Sequence, residues 1–173
     1  MTMGVWNIRG LNEPIKQKEV HYWITSPKLS LCGIVETKVQ RDVLTSVLRN
    51  CLPSQWAFID NFGTNTTARI LLVGNTQELW LLHFNESDQK ITAAIRMNVN
   101  SAICYVTIVY RFNSVLLRRP LWSELKKLKC TIGDQSWMIM GDFNIVRNIQ
   151  ERLDGIGFGA TASDEFNSCL NDI

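Results

Sequence analysis

The sequence predicts a mixed α/β domain, a layered sheet with helices outside it. Three observations lead there. Short apolar, β-branched runs alternate with segments whose apolar residues recur at helical spacing. Several runs come in pairs around short polar stretches, as hairpins do, and few connections are long enough for parallel crossovers. The 173 residues are 46% hydrophobic and 20% charged, which suits one soluble domain with a sizeable core.

Met3 to Trp6 is a short first strand ending at Asn7. Asn12 is placed to cap a helix with Pro14 in its first turn, running to about Ile24. Leu29 to Val35 is an apolar strand that ends at Glu36, and the spacing of Val39, Val43, Leu44, Val47, Leu48 and Cys51 predicts a helix over 39–51. Trp56 to Val73 reads as two strands joined by Gly63-Thr64-Asn65-Thr66-Thr67. Leu79 to Phe84 and Lys90 to Asn98 form a hairpin around Glu86-Ser87-Asp88, and Ala102 to Val109 is a further strand ending at Tyr110. Pro120 starts a helix with Leu121, Trp122, Leu125 and Leu128 on one face. Trp137 to Met140 is an unbroken apolar run, as in a buried strand, and Gly141-Asp142-Phe143-Asn144 follows it. Ser163 is a good N-cap for a last helix carrying Phe166, Cys169 and Leu170, with two or three turns before Ile173.

Composition narrows the function classes. A net charge of +2 argues neither for nor against nucleic acid, and the local cluster Arg118, Arg119, Lys126, Lys127 and Lys129 reads first as a solvated helix face. Five cysteines without a CxxC pair, four of them in apolar surroundings, argue against disulfides or zinc and for a reducing interior, nucleus or cytoplasm. No secretory signal is present, and no apolar run reaches the ~20 residues of a membrane span. Neither a membrane nor a small-molecule cofactor is expected, and oligomeric state is left open.

Four apolar runs end in polar residues: Trp6 then Asn7, Val35 then Glu36, Val109 then Tyr110, and Met140 then Asp142 with Asn144. Asp142 and Asn144 point the same way along an extended chain, because side chains alternate with period 2. If these ends share one cleft, Glu36 and Asp142 supply hard anionic oxygens and Asn7 and Asn144 neutral ones. That donor set suits Mg²⁺, which takes one or two carboxylates with water and phosphate, and such an ion can polarise a phosphoryl oxygen and help deliver water. Each residue also has a plainer role: Asn7 and the 141–144 stretch as turns, Glu36 as a solvated loop carboxylate, Tyr110 as a core aromatic with its hydroxyl at the rim. His21 in a helix and His83 in a strand read as structural. No Ser/His/Asp order, P-loop or Cys/His metal spacing occurs.

The set resembles a known family. Val5-Trp6-Asn7-Ile8-Arg9-Gly10-Leu11-Asn12, Val35-Glu36-Thr37-Lys38, Val109-Tyr110-Arg111-Phe112-Asn113 and Gly141-Asp142-Phe143-Asn144 stand in the order seen in endonuclease/exonuclease/phosphatase domains. Their wording is most similar to the endonuclease of plant LINE-type non-LTR retrotransposons, as are Arg118-Arg119-Pro120-Leu121-Trp122 and Glu165-Phe166-Asn167-Ser168-Cys169-Leu170. The resemblance spans essentially the whole chain. It implies a layered β-sandwich flanked by helices, like deoxyribonuclease I, with residues 1–173 a single domain that lacks the family's C-terminal strands.

The implied activity is hydrolysis of a DNA phosphodiester with Mg²⁺, or Mn²⁺ in its place. Glu36 would bind the metal with Asn7 close by. Asp142 would position or deprotonate the attacking water, Asn144 would bond the scissile phosphate and Tyr110 would contact it. Arg9 and Lys38 would add phosphate contacts. Departures from the family pattern are plain: no Asp-His dipeptide occurs, the Gly-rich stretch before Ile70 reads Thr64-Asn65-Thr66-Thr67-Ala68, a usual Trp is replaced within Val73-Gly74-Asn75, and Arg111 replaces a usual Gly. General acid–base groups contribute on the order of 10²–10⁴-fold each, so the departures imply weak or absent turnover. A non-catalytic remnant binding nucleic acid or a partner, and a phosphatase of the same fold, are the alternatives.

Overall fold

The computed structural model describes residues 1–63, 65–112, 114–147 and 160–173. Thr64 and Asn113, named in the loop and motif above, lie outside the described residues. Internal contacts divide the chain into two units, Met1–Tyr110 with Gln135–Asp142, and Arg111–Asp134 with Phe143–Ile173.

In the first unit the apolar runs become β1 (Met3–Asn7), β2 (Leu31–Gln40), β3 (Trp56–Asp60), β4 (Thr67–Asn75), β5 (Trp80–Ser87), β6 (Lys90–Arg96), β7 (Cys104–Tyr110) and β8 (Trp137–Asp142), with α1 (Pro14–Thr25) and α2 (Leu44–Cys51). They make two four-stranded sheets, ordered β1-β2-β4-β3 and β5-β6-β7-β8. β1 runs parallel to β2, and β7 parallel to β8; the other neighbours are antiparallel. The period of two explains the layers. Along β2, Cys32 and Ile34 face α1 and α2, while Leu31 and Val35 face the second sheet; β4 splits Leu71 and Val73 from Ile70 and Leu72 in the same way. Ile91, Ala93, Ile95, Val106 and Ile108 complete the inter-sheet core. The sheets approach closely at Gly33, where an added Cβ would lie 2.7 Å from Ile108 Cγ2.

Several expectations are corrected. β2 does not end at Glu36. It breaks register between Val35 and Val39 and resumes pairing with β4 to Gln40. Val39, fully buried, belongs to this strand, so α2 begins only at Leu44. Asn12 does not cap α1; the cap position is Glu13, which makes no side-chain cap bond. The Asn12 amide instead donates to the Lys38 carbonyl at 3.0 Å. β8 is an edge strand rather than a buried one, with Met138 43% exposed.

The second unit holds α3 (Val115–Ile132) and α4 (Ala160–Asp172). Pro120 lies inside α3 instead of starting it; the preceding Leu117, Arg118 and Arg119 are strong helix formers and sustain a turn ahead of it. Leu121, Trp122, Leu125 and Leu128 are buried, and Trp122 stacks on Phe166 of α4 at 5.3 Å. Part of the basic cluster is ion-paired rather than simply solvated, Arg119 to Glu165 at 2.9 Å and Lys126 to Asp172 at 2.5 Å. Ser163 lies within α4, and its hydroxyl donates to the Val146 carbonyl at 3.0 Å rather than capping. All five cysteines are free thiols. No helix among the described residues is long and apolar enough to cross a membrane.

Candidate active site

The site is built where β1 and β8, edge strands of the two different sheets, end side by side. Asn7 is the last residue of β1 and Asp142 the last of β8. The Asn7 amide donates to Asp142 Oδ2 at 2.7 Å, tying one sheet to the other. Its Oδ1 accepts the Arg9 N–H at 3.1 Å, which fixes the turn after β1. Tyr110, the last residue of β7, stands opposite Asp142 in the parallel register. Gly141 explains why a glycine precedes that aspartate: its φ is +145°, and a Cβ would lie 2.0 Å from the Val109 carbonyl oxygen.

Glu36 enters through the irregularity in β2. Glu36 and Lys38 both take positive φ, 57° and 53°, which swings residues 36–38 out of the ladder. Thr37, buried between them, donates its hydroxyl to the Ala68 carbonyl at 2.7 Å and pins the bulge to β4. The segment after β1 seals it, with Gly10 N–H on the Glu36 carbonyl at 2.7 Å and Leu11 N–H on that of Thr37 at 2.8 Å.

The electrostatics follow from this packing. Lys38 Nζ lies 2.9 Å from Glu36 Oε1, with the lysine side chain 63% exposed and the glutamate 19%. Burial opposes ionisation of Glu36, but hydrogen bonds with Lys38, Asn7 and Tyr110 and the Lys38 charge together outweigh it, so its carboxyl is held below the ordinary glutamate value. Burial, reinforced by the Glu36 charge, raises Tyr110 above the ordinary phenol value against the opposing effect of Arg69. The phenol therefore stays protonated at neutral pH and is a hydrogen-bond donor. The Arg69 guanidinium lies over the Tyr110 ring, 4.8 Å from its centroid.

Five of the seven residues expected in the site thus converge: Asn7, Glu36, Lys38, Tyr110 and Asp142. Arg9 is drawn in through its backbone N–H. Asn144 belongs to the second unit, where it has φ +48°, donates its amide to the Arg111 carbonyl at 2.6 Å and accepts from the Arg111 guanidinium at 3.4 Å. Arg111 is itself fully buried, with its guanidinium 5.4 Å from the Trp122 ring centroid. Arg69 was not among the expected residues. Its signal was a lone charge between Ala68 and Ile70 in an otherwise apolar strand.

Among the described residues, no group of three or more His, Cys, Asp or Glu could hold a metal ion. The pair of carboxylates joined through one amide still fits a magnesium-type ion, which needs only one or two carboxylates beside water and phosphate oxygens. The ionised state of Glu36 and the exposure of Lys38, which can swing aside, agree with that fit.

The chain matches no protein-family model and no curated protein sequence. Solved structures do resemble it. The endonuclease domain of TRAS1, a telomere-specific non-LTR retrotransposon, aligns with TM-score 0.69 at 10% identity over 94% of this chain and 67% of that one. The AP endonuclease LMAP from Leishmania major aligns with TM-score 0.70 at 13% identity over 97% of this chain and 65% of that one. A mannosyl-6-phosphatase from Bacteroides thetaiotaomicron aligns with TM-score 0.69 at 11% identity over 97% and 70%. The chain therefore spans about two thirds of the length of these proteins. At such identities the likeness shows the fold: two sheets flanked by helices, of the deoxyribonuclease I-like endonuclease/exonuclease/phosphatase type.

Proposed function

We propose that the chain carries a metal-assisted phosphodiester-hydrolysing centre acting on DNA, of the kind found in LINE-type retrotransposon endonucleases. The observation that carries this reading is the Asn7 amide bonded to Asp142 across the two sheets at 2.7 Å, with the same side chain hydrogen-bonded to Glu36. Two carboxylates, one amide and a protonated phenol, from three strand ends and the bulge in β2, form a compact phosphoryl-handling set. Glu36, with the Asn7 carbonyl, would hold Mg²⁺ or Mn²⁺; when bound, the ion supplies Lewis-acid polarisation of a phosphoryl oxygen. Asp142, oriented by Asn7, accepts the proton of the attacking water. Tyr110 donates its hydroxyl to a phosphate oxygen. Lys38 and Arg9 take neighbouring phosphates.

The test is plasmid nicking with Mg²⁺, comparing the wild type with Glu36→Ala and Asp142→Ala. Loss of a positioned acid–base group costs on the order of 10²–10⁴-fold, so both variants should fall by at least about 100-fold. Equal nicking by all three would sink the assignment. One observation favours a second reading, a non-catalytic DNA-binding remnant: Lys38 already occupies the carboxylate a metal would use, at 2.9 Å. DNA binding with no Mg²⁺-dependent nicking by the wild type would select it.

A further inference from the structure

Arg69 belongs to the same centre, and its placement is specific. It sits on β4 opposite the bulge that carries Glu36 and Lys38. Its backbone N–H and that of Ile70 both donate to Asn61 Oδ1, at 3.0 and 2.8 Å, and the Asn61 amide is held in turn by the Ser87 and Asp88 carbonyls at 3.1 and 3.3 Å. The strand beneath Arg69 is thereby fixed at a buried asparagine. The guanidinium carbon lies over the Tyr110 ring, 4.8 Å from its centroid, and the residue is half-buried. Lys38, with its Nζ 2.9 Å from Glu36 Oε1, is close enough to feel the Arg69 charge. Two cations thus flank one carboxylate and one phenol hydroxyl. An arginine stays charged at every relevant pH and presents a planar fork of donors that matches a phosphodiester's oxygens.

We propose that Arg69 is a phosphate-binding residue that lets this centre grip a DNA phosphodiester without a divalent metal. The inference builds on the proposed reading of the site, but it concerns binding and not turnover. Arg69 and Lys38 together supply the positive charge that a metal would otherwise bring to the phosphate, while Tyr110, under the guanidinium, helps hold it in place. Glu36 opposes the approach of phosphate, and Lys38 offsets it.

The experiment is fluorescence anisotropy of a labelled 20-base-pair DNA duplex in EDTA, over a series of salt concentrations. Wild-type protein should bind without metal. Arg69→Gln should bind roughly three- to tenfold more weakly, with the log–log salt slope reduced by about 0.9, the release of one phosphate's counterions. Arg69→Lys keeps the charge and should keep the slope. Glu36→Ala removes the opposing carboxylate and should bind more tightly than wild type in EDTA, even though the proposed function requires it to lose nicking. Phenylglyoxal footprinting of the wild type gives an answer that does not depend on any variant folding: duplex DNA in EDTA should protect Arg69 from modification. An unchanged slope in Arg69→Gln, or no protection of Arg69, overturns the proposal. Failure of nicking with these binding results intact would overturn the nuclease reading alone.

Discussion

The bond from Asn7 to Asp142 should behave as a clasp between the two sheets. It joins the ends of two edge strands that share no ladder, with donor and acceptor 2.7 Å apart and both residues half-buried. A hydrogen bond to a charged partner contributes about 1.5–3 kcal/mol, and partial exposure places this one near the lower end. Single variants cannot isolate it, because Asp142→Ala also removes the carboxyl group's other interactions. A double-mutant cycle with Asn7→Ala, Asp142→Ala and the double variant cancels that effect. We expect a coupling energy of about 1–2 kcal/mol by urea denaturation. For a chain of this size each 1 kcal/mol moves the melting temperature by about 2–4 °C, so Asn7→Ala should melt several degrees below wild type. Coupling below about 0.5 kcal/mol, within ordinary additivity, would refute the clasp and with it the claim that the site's geometry is built into the fold.

Two further outcomes follow from the same structure. Because hydrogen bonds and the Lys38 charge win over burial at Glu36, its carboxyl should titrate by NMR below the ordinary glutamate value, and Lys38→Ala should move the midpoint up. A carboxyl depressed in the folded state stabilises the fold above its unfolded pKa, and that stabilisation is lost as pH falls through the folded value; Lys38→Ala should therefore weaken the acid dependence of stability, and an unmoved midpoint would show that the ion pair does not set it. Gly33→Ala drives a Cβ to 2.7 Å from Ile108 Cγ2 and 2.9 Å from its Cδ1, which should destabilise by about 1–3 kcal/mol. Combined with Ile108→Ala, which removes the clashing atoms, it should cost less than the two changes added; strict additivity would place the sheets farther apart than described.

Strand order of events along the chain was legible because apolar alternation and hairpin turns are local signals. Glu36, Tyr110 and Asp142 were legible because each follows an apolar run with a polar side chain. The sequence misled where tertiary contacts overrode local preference. Val39 has helical spacing with Val43 and Val47, yet the pull of β4 keeps it in β2, because three residues bulge outward and restore the buried alternation. Asn12 has the chemistry of a cap but found a better partner in the Lys38 carbonyl. Pro120 and Ser163 carry start signals that neighbouring helix formers outran. Arg69 was missed because a charge inside a strand is read as an exposed-face residue, and nothing local reveals that its neighbour across the sandwich is Tyr110.

The bulge also accounts for two motifs occurring together. Positive φ at a non-glycine residue costs roughly 1–2 kcal/mol, and Glu36 and Lys38 each adopt it. That strain persists because all three carbonyls of the bulge are taken by the segment after β1: Gly10 N–H on Glu36, Leu11 N–H on Thr37, and the Asn12 amide on Lys38. Gly10, at φ +97°, is what lets that segment turn to meet them. The Lys16 ammonium steadies the same turn through the Ile8 and Arg9 carbonyls, at 3.3 and 3.0 Å. Residues 7–12 and 36–38 are therefore one structural unit written in two places. Asn7 and Glu36 are brought together by these bonds, by the Arg9 N–H on Asn7 Oδ1 and by the hydrogen bond between their own side chains. None of the three carbonyl bonds uses the Glu36 side chain, so the paired motifs alone establish a scaffold, and the proposed chemistry depends on Glu36, Tyr110 and Asp142 keeping their side chains as well.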